Sequence, residues 1–207
     1  MKTSEVKFKL SGLPKKNSKV FISAVILLLI SSAVIAQKKW SVELRPGVNF
    51  ATAKLADADL KTGFGFEGAF AYKFMPHLAA YAGWSWNKFA ANKSFAGNNV
   101  DFEETGYSFG LQFIHPIKKS KISYMIKGGG TYNHIETENS EGKIINDTGH
   151  GLGWQVGGGM TILIGKRWLL IPEVRYRSLS RDIKIGDGTT PVDLNYISTG
   201  IGISYSF

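Results

Sequence analysis

Apolar and polar residues alternate along most of the chain after Gln37, so that every second side chain is bulky and apolar. A period of two is typical of β-strands whose two faces meet different surroundings. Eight segments carry this period, near residues 40–50, 63–74, 78–88, 103–115, 122–135, 151–164, 168–179 and 194–207. They are much longer than the average strand of a soluble protein, about five or six residues. Each is long enough for a tilted membrane crossing, which takes about 9–11 residues.

The connections between these segments alternate in length. Three short turns lie near residues 75–77, 116–121 and 165–167, and four long polar loops lie near 51–62, 88–100, 136–148 and 180–192. Eight meandering strands with both termini on the periplasmic side need three turns and four loops. We therefore predict an all-β fold, an eight-stranded antiparallel up-and-down transmembrane β-barrel.

Side-chain volume decides which face of this barrel points outward. The apolar face carries most of the aromatic residues, whereas the opposite face is rich in glycine, serine and alanine. The interior of an eight-stranded barrel is just wide enough to be filled by side chains, so it could not hold so many rings. The bulky face is therefore predicted to meet lipid. The narrow interior also explains an excess of glycine, 24 of 207 residues.

The N-terminal segment has the layout of a secretory signal peptide. A lysine-rich stretch ends at Lys19, an apolar run extends from Val20 to Ile35, and small residues precede a cut after Ala36. The apolar run is shorter than the roughly 20 residues that a membrane-spanning helix needs, which argues against an uncleaved anchor. We predict that residues 1–36 are a cleaved signal peptide and that residues 37–207 form the outer-membrane barrel.

Composition excludes several classes of function. The chain has a net charge of +9, but six lysines precede Gln37 and no basic stripe follows it. Nucleic-acid binding would need such a stripe on one face, so we predict no nucleic-acid partner. The chain has no cysteine, which excludes thiolate metal sites and cysteine nucleophiles. We expect no cofactor.

The C-terminal segment alternates apolar residues and ends on an aromatic ring, with Ile201, Ile203, Tyr205 and Phe207 on one face. This ending resembles the C-terminal signature of outer-membrane barrels, and the resemblance implies recognition by the barrel-assembly machinery. With its strand layout, the mature chain resembles small outer-membrane β-barrel proteins of the OmpA-transmembrane, OmpX and opacity-protein type. That resemblance implies location in the cell outer membrane, among its lipid and lipopolysaccharide. Phe207 leaves no room for a peptidoglycan-binding domain, so we expect no cell-wall anchoring.

A set of charged residues falls on the face predicted to line the lumen: Glu43, Arg45, Glu67, Lys127, Glu173, Arg175 and Arg177. Three acids and four bases nearly cancel. Charges in a narrow lumen persist only when they are paired and hydrogen-bonded, so we predict an internal ion-pair network that fills the barrel. The alternative is a gate or a narrow, weakly conducting pore.

The histidines suggest no catalytic site. His134 and His150 flank an acidic loop that could bind a divalent cation near lipopolysaccharide, but we favour a solvated surface loop and predict no metal site. Lipid A acyltransferases and deacylases are also small barrels, but their chemistry needs a nucleophile and a base within hydrogen-bond reach. No convincing serine, histidine and acid arrangement lies near one rim, so we predict that the protein is not an enzyme.

The preferred function is a structural and surface-interaction role, with envelope integrity and adhesion-type loops that contact surface ligands the sequence does not identify. The alternative is a narrow pore or a channel for small hydrophobic molecules. A lipid A-modifying enzyme is the third reading.

Overall fold

A computed structural model describes residues 39–185 and 188–207, with side chains omitted for residues 184 and 185. The predicted signal peptide therefore lies outside the described residues. Among the described residues the chain forms nine strands: β1 (Trp40–Ala51), β2 (Gly63–Lys73), β3 (Leu78–Ser94), β4 (Gly97–Pro116), β5 (Ile122–Glu138), β6 (Ile144–Asp147), β7 (Gly151–Leu163), β8 (Trp168–Ile185) and β9 (Gly188–Ser206). No helix in these ranges is long and apolar enough to cross a membrane.

Eight of these strands close into a ring. Every pairing is antiparallel, and neighbours in the ring follow one another along the chain except that β5 pairs with β7. Strand β1 pairs with β9, which closes the barrel, and the short β6 lies outside the ring, paired with the end of β5. Closure leaves no open sheet edge within the hydrocarbon, where unpaired backbone groups are very costly. The predicted eight-stranded up-and-down barrel is confirmed.

The two faces of the strands are those that the alternation predicts. Phe109, Trp154 and Ile203 are exposed on the outside, whereas their neighbours Ser108, Gln155 and Ser204 are buried inside. The outward face is a continuous apolar band with aromatic rings at both ends, as a lipid-facing barrel surface requires.

Two facing glycines show why the wall is rich in this residue. Gly110 on β4 pairs with Gly129 on β5. A Cβ atom at Gly110 would collide with the carbonyl oxygen of Gly128, and one at Gly129 would collide with the carbonyl oxygen of Phe109. The backbones of β4 and β5 can approach this closely only without side chains on the inner face.

The strands extend farther on the extracellular side than the sequence predicts. Strands β3 and β4 stay paired as far as Ser94 and Gly97, and β8 and β9 as far as Ile185 and Gly188. The long loops predicted near residues 88–100 and 180–192 are therefore wrong, because these segments are hairpins that continue the barrel wall.

An apolar cluster fills the extracellular end of this longer barrel, and we call it the outer core. Its buried members come from five strands and from the β1–β2 connection: Leu55, Ala58, Phe89, Ala91, Val100, Phe102, Ile135, Leu179, Ile183, Val192, Leu194 and Tyr196. Leu55 and Ala58 reach it because the β1–β2 connection folds into the mouth of the barrel. Its backbone is held there by bonds between Leu55 and Ala58 and by the Lys61 N–H, which donates to the Ala90 carbonyl (2.8 Å).

Candidate functional site

Glu67, on β2, is the centre of a charged cluster at mid-lumen. Its carboxylate accepts hydrogen bonds from Arg175 (2.6 Å), Arg177 (3.1 Å) and Lys127 (3.3 Å), and one from the Ser108 hydroxyl (3.2 Å). All of these side chains are almost completely buried. Three cations around one acid are stable only because further acids and neutral acceptors satisfy their remaining N–H groups.

Gln155, on β7, supplies part of that compensation. Its side-chain oxygen accepts from Arg175 (3.1 Å) and Arg177 (2.8 Å), and its amide donates to the Tyr81 hydroxyl (2.9 Å). The Lys127 ammonium lies over the Tyr81 ring, 4.4 Å from its centroid. The network thus links charged groups with neutral polar and aromatic groups across the whole lumen.

Arg45, Glu173 and Glu43 form the looser periplasmic side of the cluster. Arg175 pairs tightly with Glu173 (2.8 Å), whereas the Arg45 Nε atom is 4.0 Å from the same carboxylate. Glu43 points into the lumen, but one of its oxygens is buried without a hydrogen-bond partner. Six of the seven predicted lumen charges are therefore linked by ion pairs, and Glu43 is adjacent to them without a direct pair.

Glu104, on β4, belongs to the network and was missed by the sequence prediction. It accepts from Arg177 (3.4 Å), from the Asn133 amide (2.5 Å) and from the Tyr196 hydroxyl (2.5 Å). With Glu104 the buried set has four acids and four bases, which removes the imbalance of three to four. The signal was present, since Glu104 has the same parity as the inward residues of β4.

The space that remains in the lumen differs along its axis. Around Arg45, Glu67, Arg177 and Ser198 the free volume is about 10 Å³, room for one water molecule at most. Toward the periplasm a cavity of about 380 Å³ opens, and Ser41, Ala79 and Gln112 are among the residues that line it. The filled middle and the outer core separate this periplasmic cavity from the extracellular side.

The periplasmic histidines contact each other through their rings. His77 and His115 lie with their ring centroids 4.7 Å apart, and the His77 Nδ1 atom is 3.0 Å from the Ile114 carbonyl oxygen. In the described part of the chain, no serine or threonine hydroxyl is hydrogen-bonded to a histidine, as activation of a nucleophile would require.

The C-terminal residues complete the barrel seam. Ile201 and Ile203 point outward into the apolar band, and the ring of Tyr205 packs against Trp168 at 4.9 Å. The Phe207 N–H donates to the Trp40 carbonyl (2.9 Å) and closes the β1–β9 seam at the last residue. Recognition of this segment by the assembly machinery stays a prediction.

Comparison with known proteins identifies the family. Residues 22–207 match the family described as outer membrane protein beta-barrel domain, and the chain belongs to this family. The protein is therefore an outer-membrane barrel, in contact with lipid and lipopolysaccharide. No curated protein matches the chain.

Solved structures similar to this chain are small outer-membrane barrels. Neisserial surface protein A is 12% identical, with a TM-score of 0.58, and the match covers 83% of this chain and 98% of that one. Outer membrane protein W of E. coli is 14% identical (TM-score 0.56; 82% and 97% covered). OprG of Pseudomonas aeruginosa is 14% identical (TM-score 0.55; 83% and 98% covered). At these identities the likeness concerns the fold.

Proposed function

We propose that this protein is a closed barrel with a structural and surface-presenting role, which conducts no solute along its axis. The observation that carries the proposal is the pair of seals that follow one another along the lumen. The first is the ion network around Glu67, and the second is the outer core. A solute would have to break buried ion pairs and then displace a packed apolar cluster.

The extracellular part of the barrel supports the surface-presenting half of the proposal. The paired ends of β3–β4 and β8–β9 continue the membrane wall outward, and the outer core holds them in one arrangement. Their outward side chains are polar, for example Glu103 and Asp193. A rigid polar surface suits contact with other macromolecules, because little conformational entropy is lost when it binds.

A groove on the lipid-facing wall favours a second candidate, binding or lateral passage of a small hydrophobic molecule. It has a volume of about 470 Å³ and lies between Gly158, Met160, Pro172 and Ile201. The β7–β8 pairing skips Met160 and Thr161 there, beside Pro172, which has no N–H to donate. Pairing of β7 with β8 resumes on both sides of this interruption, at Gly159 and at Ile162, and pairing of β8 with β9 is continuous beside it.

Bilayer conductance tests the closed-barrel proposal. We expect the purified wild-type barrel to show no discrete conductance steps. Glu67→Gln alone should also stay closed, because the outer core remains. Discrete steps in wild type would overturn the proposal, and a change of step size in Glu67→Gln would place the conducting path through the ion network. Glu43→Gln is the matched control, since Glu43 also faces the lumen but makes no direct ion pair. A heat-modifiability gel confirms that each variant is folded.

Complementation separates structural support from surface contact. A strain without this protein is tested for detergent sensitivity and for adhesion to a chosen surface, with and without the barrel. A variant whose β3–β4 hairpin is shortened by replacing residues 91–100 with a two-residue turn keeps the membrane part. If this variant restores detergent resistance but not adhesion, the hairpins carry the contact. If wild type restores neither, the proposed role is wrong.

A further inference from the structure

A histidine and two carboxylates converge on the outer surface just beyond the extracellular aromatic ring. His134 and Glu136 are neighbours on the outward face of β5, and Asp147 is the cross-strand partner of Glu136 on β6. The His134 Nδ1 atom is 3.0 Å from the Asp147 carboxylate and 3.9 Å from that of Glu136. One donor atom from each residue lies within 4.8 Å of the other two.

These spacings fit a single metal ion. Zinc binds imidazole nitrogen and carboxylate oxygen at about 2.0–2.2 Å, usually in tetrahedral geometry. Two ligand atoms of such a site are then roughly 3.4 Å apart, by the geometry of a tetrahedron with those bond lengths. The observed separations between the ligand atoms are close to this value, and a small side-chain rotation would remove the difference.

Glu136 and Asp147 have His134 as their ion-pair partner. Among the side chains that the structure describes, those of residues 39–183 and 188–207, no lysine or arginine forms an ion pair with either carboxylate. The Asp147 carboxylate also accepts a hydrogen bond from the Gly149 N–H (2.8 Å).

A neighbouring acidic cluster provides the contrast. Asp101, Glu103 and Glu138 also face outward, but all three lie within 3.1 Å of the Lys88 ammonium. Partial burial alone lowers the pKa of Lys88, but hydrogen bonds to these carboxylates raise it above the ordinary value, so Lys88 stays a cation. That cluster already has its positive charge, whereas no described lysine or arginine side chain pairs with the carboxylates of the His134 group.

A second histidine lies against the first. The His150 ring stacks on His134, with centroids 4.3 Å apart and planes 16° from parallel, and it also contacts Tyr107 and Tyr132. This packing holds the His134 ring in place. It also puts a second imidazole within one side-chain rotation of the group. Mixed imidazole and carboxylate ligands select zinc-like transition metals over calcium and magnesium, which prefer oxygen ligands alone.

We propose that His134, Glu136 and Asp147 bind one zinc-class divalent ion on the extracellular rim, with His150 or water as the fourth ligand. Such an ion would tie β6, which lies outside the barrel ring, to the end of β5. This site is an alternative to the solvated loop that the sequence favours, and it is independent of whether the lumen conducts.

Calorimetric titration of the folded, untagged barrel with zinc chloride tests the proposal. We expect one zinc ion per chain, with binding that survives millimolar magnesium and weakens on acidification, because protons compete for the imidazole nitrogen. His134→Gln and Asp147→Asn should each weaken binding by at least about tenfold, comparable to the loss that even an outer-shell change causes. Both substitutions keep side-chain volume on a surface hairpin, so folding should persist.

The periplasmic histidine pair is the matched control. His77→Gln combined with His115→Gln removes two imidazoles from a place where the described residues put no carboxylate in contact with them, and zinc binding should be unchanged. His150→Gln then shows whether the fourth ligand is protein or water. No zinc binding, binding that magnesium displaces, or binding unaffected by His134→Gln and Asp147→Asn would each overturn the site.

Discussion

The membrane half and the extracellular half of the barrel wall have opposite polarity, although the same strands run through both. Within the membrane, β3 places Trp84 outward and Ser85 inward. Beyond it, the same strand places Lys88 outward and Phe89 inward. Even-numbered positions of β3 face outward along its whole length. The reversal of polarity therefore comes from which residue types occupy the two faces.

The reversal follows the solvent outside the wall. Hydrocarbon surrounds the membrane half, so apolar residues face outward and the narrow lumen is filled by small and paired charged groups. Water surrounds the extracellular half, so polar residues face outward and the interior becomes an ordinary apolar core. Two different kinds of interior, one ionic and one apolar, therefore lie end to end in one barrel.

Removing the central acid of the ionic interior should have the largest effect. Glu67→Gln leaves Arg175, Arg177 and Lys127 without their shared carboxylate, and breaking a buried pair in this way costs about 3–5 kcal/mol. Urea unfolding of the barrel in lipid measures the loss. Glu43→Gln should change the free energy of unfolding far less, and an equal effect of both substitutions would contradict the assigned geometry.

Truncating the apolar interior should come next. Leu194 is buried in the outer core, with Leu179 as its cross-strand partner. Leu194→Ala should destabilise the folded barrel by about 2–5 kcal/mol, because it removes packed methyl groups and leaves a cavity. Asp193→Ala, on the outward face one residue away, is the control. If Asp193→Ala were the more damaging, the upper interior would not be the core.

A charge placed on the outward face should be costly in the membrane half and tolerated in the extracellular half. Val174→Arg puts a cation into the lipid-facing band of β8, where such a change costs about 2–4 kcal/mol near the bilayer midplane. Ser180→Arg places the same residue on the same face of β8 beyond the membrane, where the expected change is within about 0.5 kcal/mol. Equal costs in unfolding experiments would show that no polarity boundary lies between them.

The smallest effect is expected at the surface cation. Lys88→Met should cost less than about 1 kcal/mol, because its ion pairs are partly exposed and salt screens them. The same substitution at Lys127, buried against Glu67, should cost about 3 kcal/mol or more. Raising the salt concentration during urea unfolding should reduce the Lys88 effect and leave the Lys127 effect unchanged.

The alternation of apolar and polar residues predicted the barrel, because a period of two persists along a strand whatever its individual residues are. Strand number, the lipid-facing side and the lumen positions of Glu67, Lys127 and Arg175 all follow from parity in the sequence. The sequence prediction ended the strands near Lys88 and Leu179, however, because the bulky residues change parity there and the pattern was read as a loop. Glu104 lies inside the predicted fourth strand with inward parity, but it is absent from the predicted set of lumen charges.

By itself the sequence determined a closed barrel of eight strands, with aromatic side chains toward lipid and small or charged groups inside. A two-residue period and a fixed lumen width leave few other arrangements of these side chains. Only the tertiary structure decided which charges pair with Glu67, that Phe89, Ile135 and Leu194 share one core, and that His134 meets Asp147. These contacts join residues far apart along the chain, and their positions depend on the stagger between strands, which no single strand's pattern encodes.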